Sequence, residues 1–185
     1  MSLQQSVSVE NVVASTDVGR ELDLDSVALD LDGVDYDPEA FPGIVYQTDD
    51  PDAVALIFRS GKIVCTGAAS VDAARDCVEI LFTEFETLEI PTPEEPSITV
   101  QNIVSSGDLG AALNLNAIAI GLGLQAVEYE PEQFPGLVYR LDEPEVVLLL
   151  FGSGKVVITG GTHPSDASTA LETVGSELQS LGLLE

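Results

Sequence analysis

Positive charge, cysteine, histidine and tryptophan are all scarce in this chain of 185 residues. Lys and Arg together number 6 against 32 Asp and Glu, which leaves a net charge of −26. That balance argues against a conventional basic nucleic-acid binder, which draws its affinity from neutralised phosphates. Cys65 and Cys77 are the only cysteines. They form no CxxC pair and no disulfide framework, in keeping with a reducing interior. With His163 as the only histidine, no cluster has zinc-ligand spacing, and no Ser or Cys has a recognisable base partner. FGSGKV (Phe151 to Val156) is not a phosphate loop, because Val156 stands where such a loop needs a hydroxyl after its Lys. The sequence thus points to no enzyme, no metal and no cofactor. Long apolar runs are missing too: VVLLLF (Val146 to Phe151) is strand-sized, and the N-terminus has neither the basic nor the apolar stretch of a signal peptide. A cytoplasmic protein without membrane contact is expected.

What the chain does have is apolar bulk. Hydrophobic residues make up 45 % and the mean hydropathy is +0.25, so the acidity is not that of a disordered chain. Aromatics are few, at 5 %. The acids are spread along the sequence rather than gathered in a tail. This suits a folded protein kept soluble in concentrated salt, where self-repulsion is screened.

The sequence is one unit written twice. VENVVAS (Val9 to Ser15) recurs as VQNIVSS (Val100 to Ser106), VDYDPEAFPGIVYQ (Val34 to Gln47) as VEYEPEQFPGLVYR (Val127 to Arg140), and LIFRSGKIVCTG (Leu56 to Gly67) as LLFGSGKVVITG (Leu149 to Gly160). The second copy gains two residues near Gly121 to Gln125. Between the copies lies IPTPEEP (Ile90 to Pro96), whose prolines block helix and strand alike. The expected division is a first repeat over 1–90, a connector over 91–97 and a second repeat over 98–185.

Each copy has the same expected layout. Alternation at Val7, Val9, Asn11 and Val13 reads as a strand, and a short helix follows around Leu22, Val27 and Leu29. Strands are expected at Ile44–Gln47, Val54–Phe58 and Lys62–Thr66, the last two joined by a tight hairpin at Gly61. A longer helix begins after Ser70 as N-cap, with Val71, Ala74, Val78, Leu81, Phe82 and Phe85 as its apolar stripe. In the second copy Pro164 opens that helix, and Leu171, Val174, Leu178 and Leu181 line it. The fold class is α+β: each half is a twisted antiparallel sheet with helices on one face, and the two halves pair about a pseudo-dyad.

Helices on one face leave the other face uncovered. Val9, Asn11, Val13, Leu56, Phe58, Val64 and Thr66 share one side, as do Val100, Asn102, Val104, Leu149, Phe151, Val157 and Thr159 in the repeat. This face is apolar except for a symmetrical pair of Asn and of Thr, and a large uncovered apolar face marks a binding surface. An Asn in mid-strand is disfavoured unless something specific meets it. Four of the scarce cations, Arg59, Lys62, Arg140 and Lys155, fall in the repeated sheet motifs, where they suit phosphates at the rim.

With ENVVAS, VQNIVSS, LIFRSGK and EYEPEQFPGLVYR in a direct repeat, the chain resembles the TATA-binding protein family in its archaeal, halophilic form. The resemblance runs from about Val7 to the last helix. It implies a saddle, a curved antiparallel sheet with helices on the convex face, that binds the minor groove of an A·T-rich promoter. It implies that Phe41 with Phe58, and Phe134 with Phe151, intercalate and bend the duplex, as known for the family. By the same resemblance Asn11, Asn102, Thr66 and Thr159 donate to bases, Val13, Val64, Val104, Val157, Leu56 and Leu149 form the apolar wall, and Arg59, Lys62, Arg140 and Lys155 meet phosphates. Glu130 and Glu132 match acids that contact transcription factor B, through which RNA polymerase is recruited indirectly. No cofactor is implied.

The match has two departures. Gln47 stands where the second copy has Arg140, although many relatives are basic in both copies. Arg59 corresponds to Gly152, so positive charge is redistributed between the halves. Two rivals from other classes would use the same face: a non-enzymatic binder of an apolar ligand, and a dimerisation module that forms a homodimer when free of DNA. Only the DNA reading explains paired Asn and Thr together with rim cations.

Overall fold

The computed structural model describes residues 7–185. Two compact units are present: Glu10–Gln101, and Asn102–Glu185 together with the start of the first strand. The first is built from β1 (Ser8–Asp17), α1 (Leu24–Asp30), β2 (Val34–Asp35), β3 (Ile44–Asp49), β4 (Asp52–Ile57), β5 (Lys62–Ala68) and α2 (Val71–Thr87). Its strands pair antiparallel in the order β2-β3-β4-β5-β1. The second repeats the plan with β6 (Thr99–Asp108), α3 (Leu115–Leu122), β7 (Val127–Glu128), β8 (Leu137–Leu141), β9 (Val146–Leu150), β10 (Lys155–Gly161) and α4 (Pro164–Ser180), in the order β6-β10-β9-β8-β7. Among the described residues, no helix is long and apolar enough to cross a membrane.

The long helices decide which sheet face becomes core. In α2 the hydroxyl of Ser70 accepts from the Ala73 N–H at 3.0 Å, closing the N-terminus as its sequence foretells. Ala74, Cys77, Val78, Leu81, Phe82 and Phe85 are buried and recur every three or four positions, so this face packs on β4 and β5. Val71 is only half-buried, and Cys77 takes a place on the stripe instead. Opposite α2 the sheet contributes Ala55, Ile57, Ile63 and Cys65, each fully buried. Both thiols are free and buried, and hydrogen bonding to Cys77 together with burial pushes the Cys65 thiol up.

In α4, Pro164 opens the helix, and the carboxylate of Asp166 accepts from the Thr162 and His163 N–H groups at 3.2 and 3.1 Å. Ala170, Leu171, Val174 and Leu178 pack on β9 and β10, opposite Leu148, Leu150, Val156 and Ile158. Leu181 does not join this stripe. The helix ends at Ser180, the chain turns at Gly182 (φ +72°), and the Leu183 N–H donates to the Leu178 carbonyl at 2.8 Å. Leu184 is thereby delivered to the core while Leu181 stays 46 % exposed.

Gly61 and Gly154 make the β4–β5 and β9–β10 hairpins possible. Both have positive φ, +94° and +96°. A Cβ would strike the carbonyl oxygen of Arg20 at the first and of Ala111 at the second. The segment after β1 crosses at this point, where the Val18 N–H donates to Gly61 at 2.9 Å and the Leu22 N–H donates to Arg59 at 2.8 Å.

Candidate nucleic-acid interface

Strand periodicity leaves each sheet a second face, which no helix of its own unit covers. Val13, Leu56, Val64 and Thr66 occupy it in the first unit, and Val104, Leu149, Val157 and Thr159 in the second; all are half-buried. The Val–Leu pairs sit directly across from one another, Leu56 opposite Val64 and Leu149 opposite Val157, and form a smooth apolar wall.

The polar groups on this wall are held by a backbone irregularity. The register between β1 and β5 shifts between the Val12–Ala68 and Ala14–Cys65 pairs, and that between β10 and β6 shifts between Ile158–Ser105 and Gly161–Ile103. Gly67 (φ +80°) and Gly160 (φ +101°) sit in these bulges. Each bulge turns one backbone N–H away from the ladder. The Gly67 N–H donates to Asn11 Oδ1 and the Gly160 N–H to Asn102 Oδ1, both at 2.6 Å. With the carbonyl oxygen so occupied, the amide orientation is fixed and the NH₂ group faces the threonine. Asn11 Nδ2 lies 3.5 Å from Thr66 Oγ1, and Asn102 Nδ2 lies 3.1 Å from Thr159 Oγ1. One amide hydrogen is directed at the hydroxyl. The other remains for an acceptor on the open side, while the Thr159 hydroxyl also lies 3.3 Å from Asn102 Oδ1, to which it donates. The sequence singled out the Asn and Thr; the glycines that orient them escaped it, although the Thr-Gly pair repeats in both copies.

The aromatic pairs come together as expected. A short turn delivers the first ring of each: the Phe41 N–H donates to the Asp37 carbonyl at 2.9 Å, and the Phe134 N–H to Glu130 at 3.0 Å. Phe41 meets Phe58 edge-on with centroids 5.8 Å apart, and Phe134 meets Phe151 at 5.9 Å. Gly43 and Gly136 are the floor of these pairs. A Cβ on Gly43 would lie 3.0 Å from Phe41 Cε1 and 3.2 Å from Phe58 Cε1; on Gly136 it would lie 2.7 Å from Phe134 Cε1 and 3.0 Å from Phe151 Cε1. Phe134 is 41 % exposed and the other three rings are half-buried, so none of the four is a core residue.

Arg59, Lys62, Arg140 and Lys155 are all exposed, but three of them have acids for neighbours. Lys62 stands across the strands from Asp17, Lys155 from Asp108, and Arg140 lies 4.0 Å from Glu128. Gln47, at the position matching Arg140, is exposed. Glu130 and Glu132 are exposed in the turn that presents Phe134. On the helical side, the Tyr139 hydroxyl donates to Glu177 at 2.9 Å; burial, reinforced by that carboxylate, pushes its phenol up to about 12.

Each unit thus presents an open apolar face rather than a reaction pocket, and the fold defines a docking protein made of one half-site written twice. The family model for transcription factor TFIID, or TATA-binding protein, matches residues 6–88 and again 97–181. TATA-box-binding protein 1 of Haloferax volcanii is 65 % identical over 181 residues, covering 98 % of this chain and 96 % of that protein. The TATA-box-binding protein of Haloarcula marismortui is 63 % identical over 182 residues, covering 98 % of each chain. Among solved structures, the TATA-binding protein of Methanococcus jannaschii superimposes with a TM-score of 0.84 at 46 % identity, over 95 % of this chain and 99 % of that one. The chain belongs to the TATA-binding protein family, whose members are DNA-binding transcription factors and not enzymes.

Proposed function

We propose that this chain is a general transcription initiation factor that reads an A·T-rich promoter through the minor groove, bends it with its phenylalanine pairs and recruits transcription factor B, and through it RNA polymerase. The observation that carries the groove assignment is the Asn–Thr–Gly arrangement in each unit. A·T pairs offer the minor groove only acceptors, adenine N3 and thymine O2, whereas G·C adds an amino donor. Amides whose oxygens are already taken by backbone N–H groups present only donors. Val13, Val64, Val104 and Val157 give a guanine amino group nothing to donate to, and burying an unpaired donor is costly. Leu56 and Leu149 extend that wall, and Arg59, Lys62, Arg140 and Lys155 meet phosphates at its rim.

A mobility-shift titration tests this reading. Replacing the central A·T pairs of a TATA-like duplex by G·C is expected to weaken binding by roughly 10- to 100-fold, in line with 1–3 kcal/mol per wrong pair. Asn11→Ala with Asn102→Ala should weaken binding to the A·T duplex and shrink that ratio. Equal affinity for both duplexes would defeat the assignment.

Recruitment is assigned to Glu130 and Glu132, which project from the turn before Phe134. Glu130→Lys with Glu132→Lys is expected to block the ternary complex with transcription factor B and to leave binary DNA binding intact or improved. A ternary complex of wild-type stability on a native gel would show that the partner sits elsewhere.

A further inference from the structure

The two copies build the layer between long helix and sheet from different chemistry. In the second unit α4 packs on β10, and Ile158 on the strand and Ala170 on the helix are both buried. The matching positions in the first unit are Cys65 on β5 and Cys77 on α2, also buried. Here the two thiols hydrogen-bond to each other. A third position changes with them. Thr48, at the end of β3, is buried and hydrogen-bonds to Cys77, where the second copy has Leu141. Volume alone does not call for this set, because an apolar trio fills the same layer in the second unit. Where packing can be met without it, a cysteine is kept for its reactivity.

The pair is also placed for bond formation. Cys65 and Cys77 are 12 apart in the chain and are its only cysteines, so each has the other as its one possible partner within the molecule. Sulfurs already in hydrogen-bond contact have only to close to about 2.05 Å. We propose that Cys65 and Cys77 form a reversible thiol–disulfide site, oxidised by a small peroxide, whose bond fastens α2 to β5. The hydrogen bond from Cys65 holds the Cys77 thiol below its usual range in spite of burial, and Cys65 is itself pushed up, so Cys77 is the sulfur that reacts first. Its thiolate attacks one peroxide oxygen. The O–O bond breaks, the second oxygen leaves as water, and Cys77 becomes a sulfenic acid. The Cys65 sulfur then displaces the sulfenic hydroxyl, which leaves with the Cys65 proton as a second water. The two thiols have given up two electrons, and one hydrogen peroxide has become two waters. Access comes through the start of α2: Cys77 stands at the end of the second turn, and Asp72, Arg75 and Asp76 around it are exposed, so local opening of those turns uncovers it. The site uses none of the residues assigned to DNA, so it stands or falls apart from that reading.

The test oxidises the full chain, folded in molar KCl, with hydrogen peroxide. Both thiols are expected to be lost together, a peptide map should find residues 65 and 77 joined, the chain should stay monomeric on a non-reducing gel, and dithiothreitol should restore both thiols. Closing a loop in the unfolded chain should raise the melting temperature by about 5–10 °C. Cys65→Ile with Cys77→Ala copies the second unit's pair; it should melt close to the reduced wild type and gain nothing from peroxide. Cys77→Ala alone should show no rise either. Two thiols that survive peroxide in the folded protein, oxygen adducts at cysteine in place of the bond, a link between two chains, or a disulfide that lowers the melting temperature each overturns the proposal.

Discussion

Replacing Phe134 and Phe151 together with alanine is expected to remove the bend at one end of the duplex while the protein stays folded. The rings meet at 5.9 Å over Gly136, and Phe134 is 41 % exposed, so the pair leans on the sheet without being enclosed by it. A ring pair already held edge-on spends little further entropy on binding. Full burial of one Phe is worth roughly 1.5–3 kcal/mol, which two rings must set against an unstacking cost of a few kcal/mol. The net loss of affinity should therefore be modest, about 10- to 100-fold, and the loss of bend large. Fluorescence transfer between the ends of a short TATA duplex measures the bend, and thermal melting measures the fold. A core Phe→Ala truncation costs about 3–5 kcal/mol. If the pair melted with a penalty of that size, or if the bend persisted, the rings would not be the wedges proposed here.

Affinity for a TATA-like duplex is expected to stay flat or rise as KCl is raised from tenths molar to molar. For an ordinary binder, each neutralised phosphate contributes a slope of about −0.9 in log affinity against log salt. Four rim cations acting independently would thus give roughly −3.6, a loss of a few thousandfold per decade of salt. They do not act independently here. Lys62 faces Asp17, Lys155 faces Asp108, and Arg140 lies 4.0 Å from Glu128. The rim is close to neutral locally, so few counterions leave the DNA. The remaining acids repel it, and near 1 M salt that repulsion is screened within about 3 Å. Acids near the phosphates also take up cations on binding, which reverses the usual slope. The titration needs circular dichroism at each salt concentration to exclude unfolding at the low end. A steep fall with the fold intact would mean that charge, not apolar contact with the groove, drives the complex.

Much of this fold is written in short-range patterns. Ser70 caps α2 and Pro164 opens α4 because caps and first turns are local chemistry. Two-residue alternation separated Ile63 and Cys65 from Val64 and Thr66, and only the helices' position was needed to say which pair is core. The duplicated motifs did the rest, since a Phe, Asn or Thr that recurs in register is more telling than one that occurs once. What stayed hidden depends on register between distant strands. The bulge that brings Gly67 to Asn11 joins residues 56 apart in the chain, and no local signal sets it. The closeness of Gly136 to two rings depends on a hairpin closing over it. Leu181 was misplaced for the opposite reason: helical periodicity continues through it, but the chain leaves the helix at that residue and turns at Gly182.

The two amide clamps are nearly the same object, Asn11 with Thr66 and Gly67, and Asn102 with Thr159 and Gly160, each with a 2.6 Å bond to its glycine. Hardware that is duplicated so closely carries no arrow. On the proposed reading each clamp offers an A·T-rich tract the same donors, so the clamps by themselves would not tell upstream from downstream. Direction has to come from what the duplication did not preserve: Arg59 against Gly152, Gln47 against Arg140, and an acid-rich short helix in one unit against an uncharged one in the other. If the chain reads a promoter as proposed, its sense along the DNA is a property of the differences between the repeats.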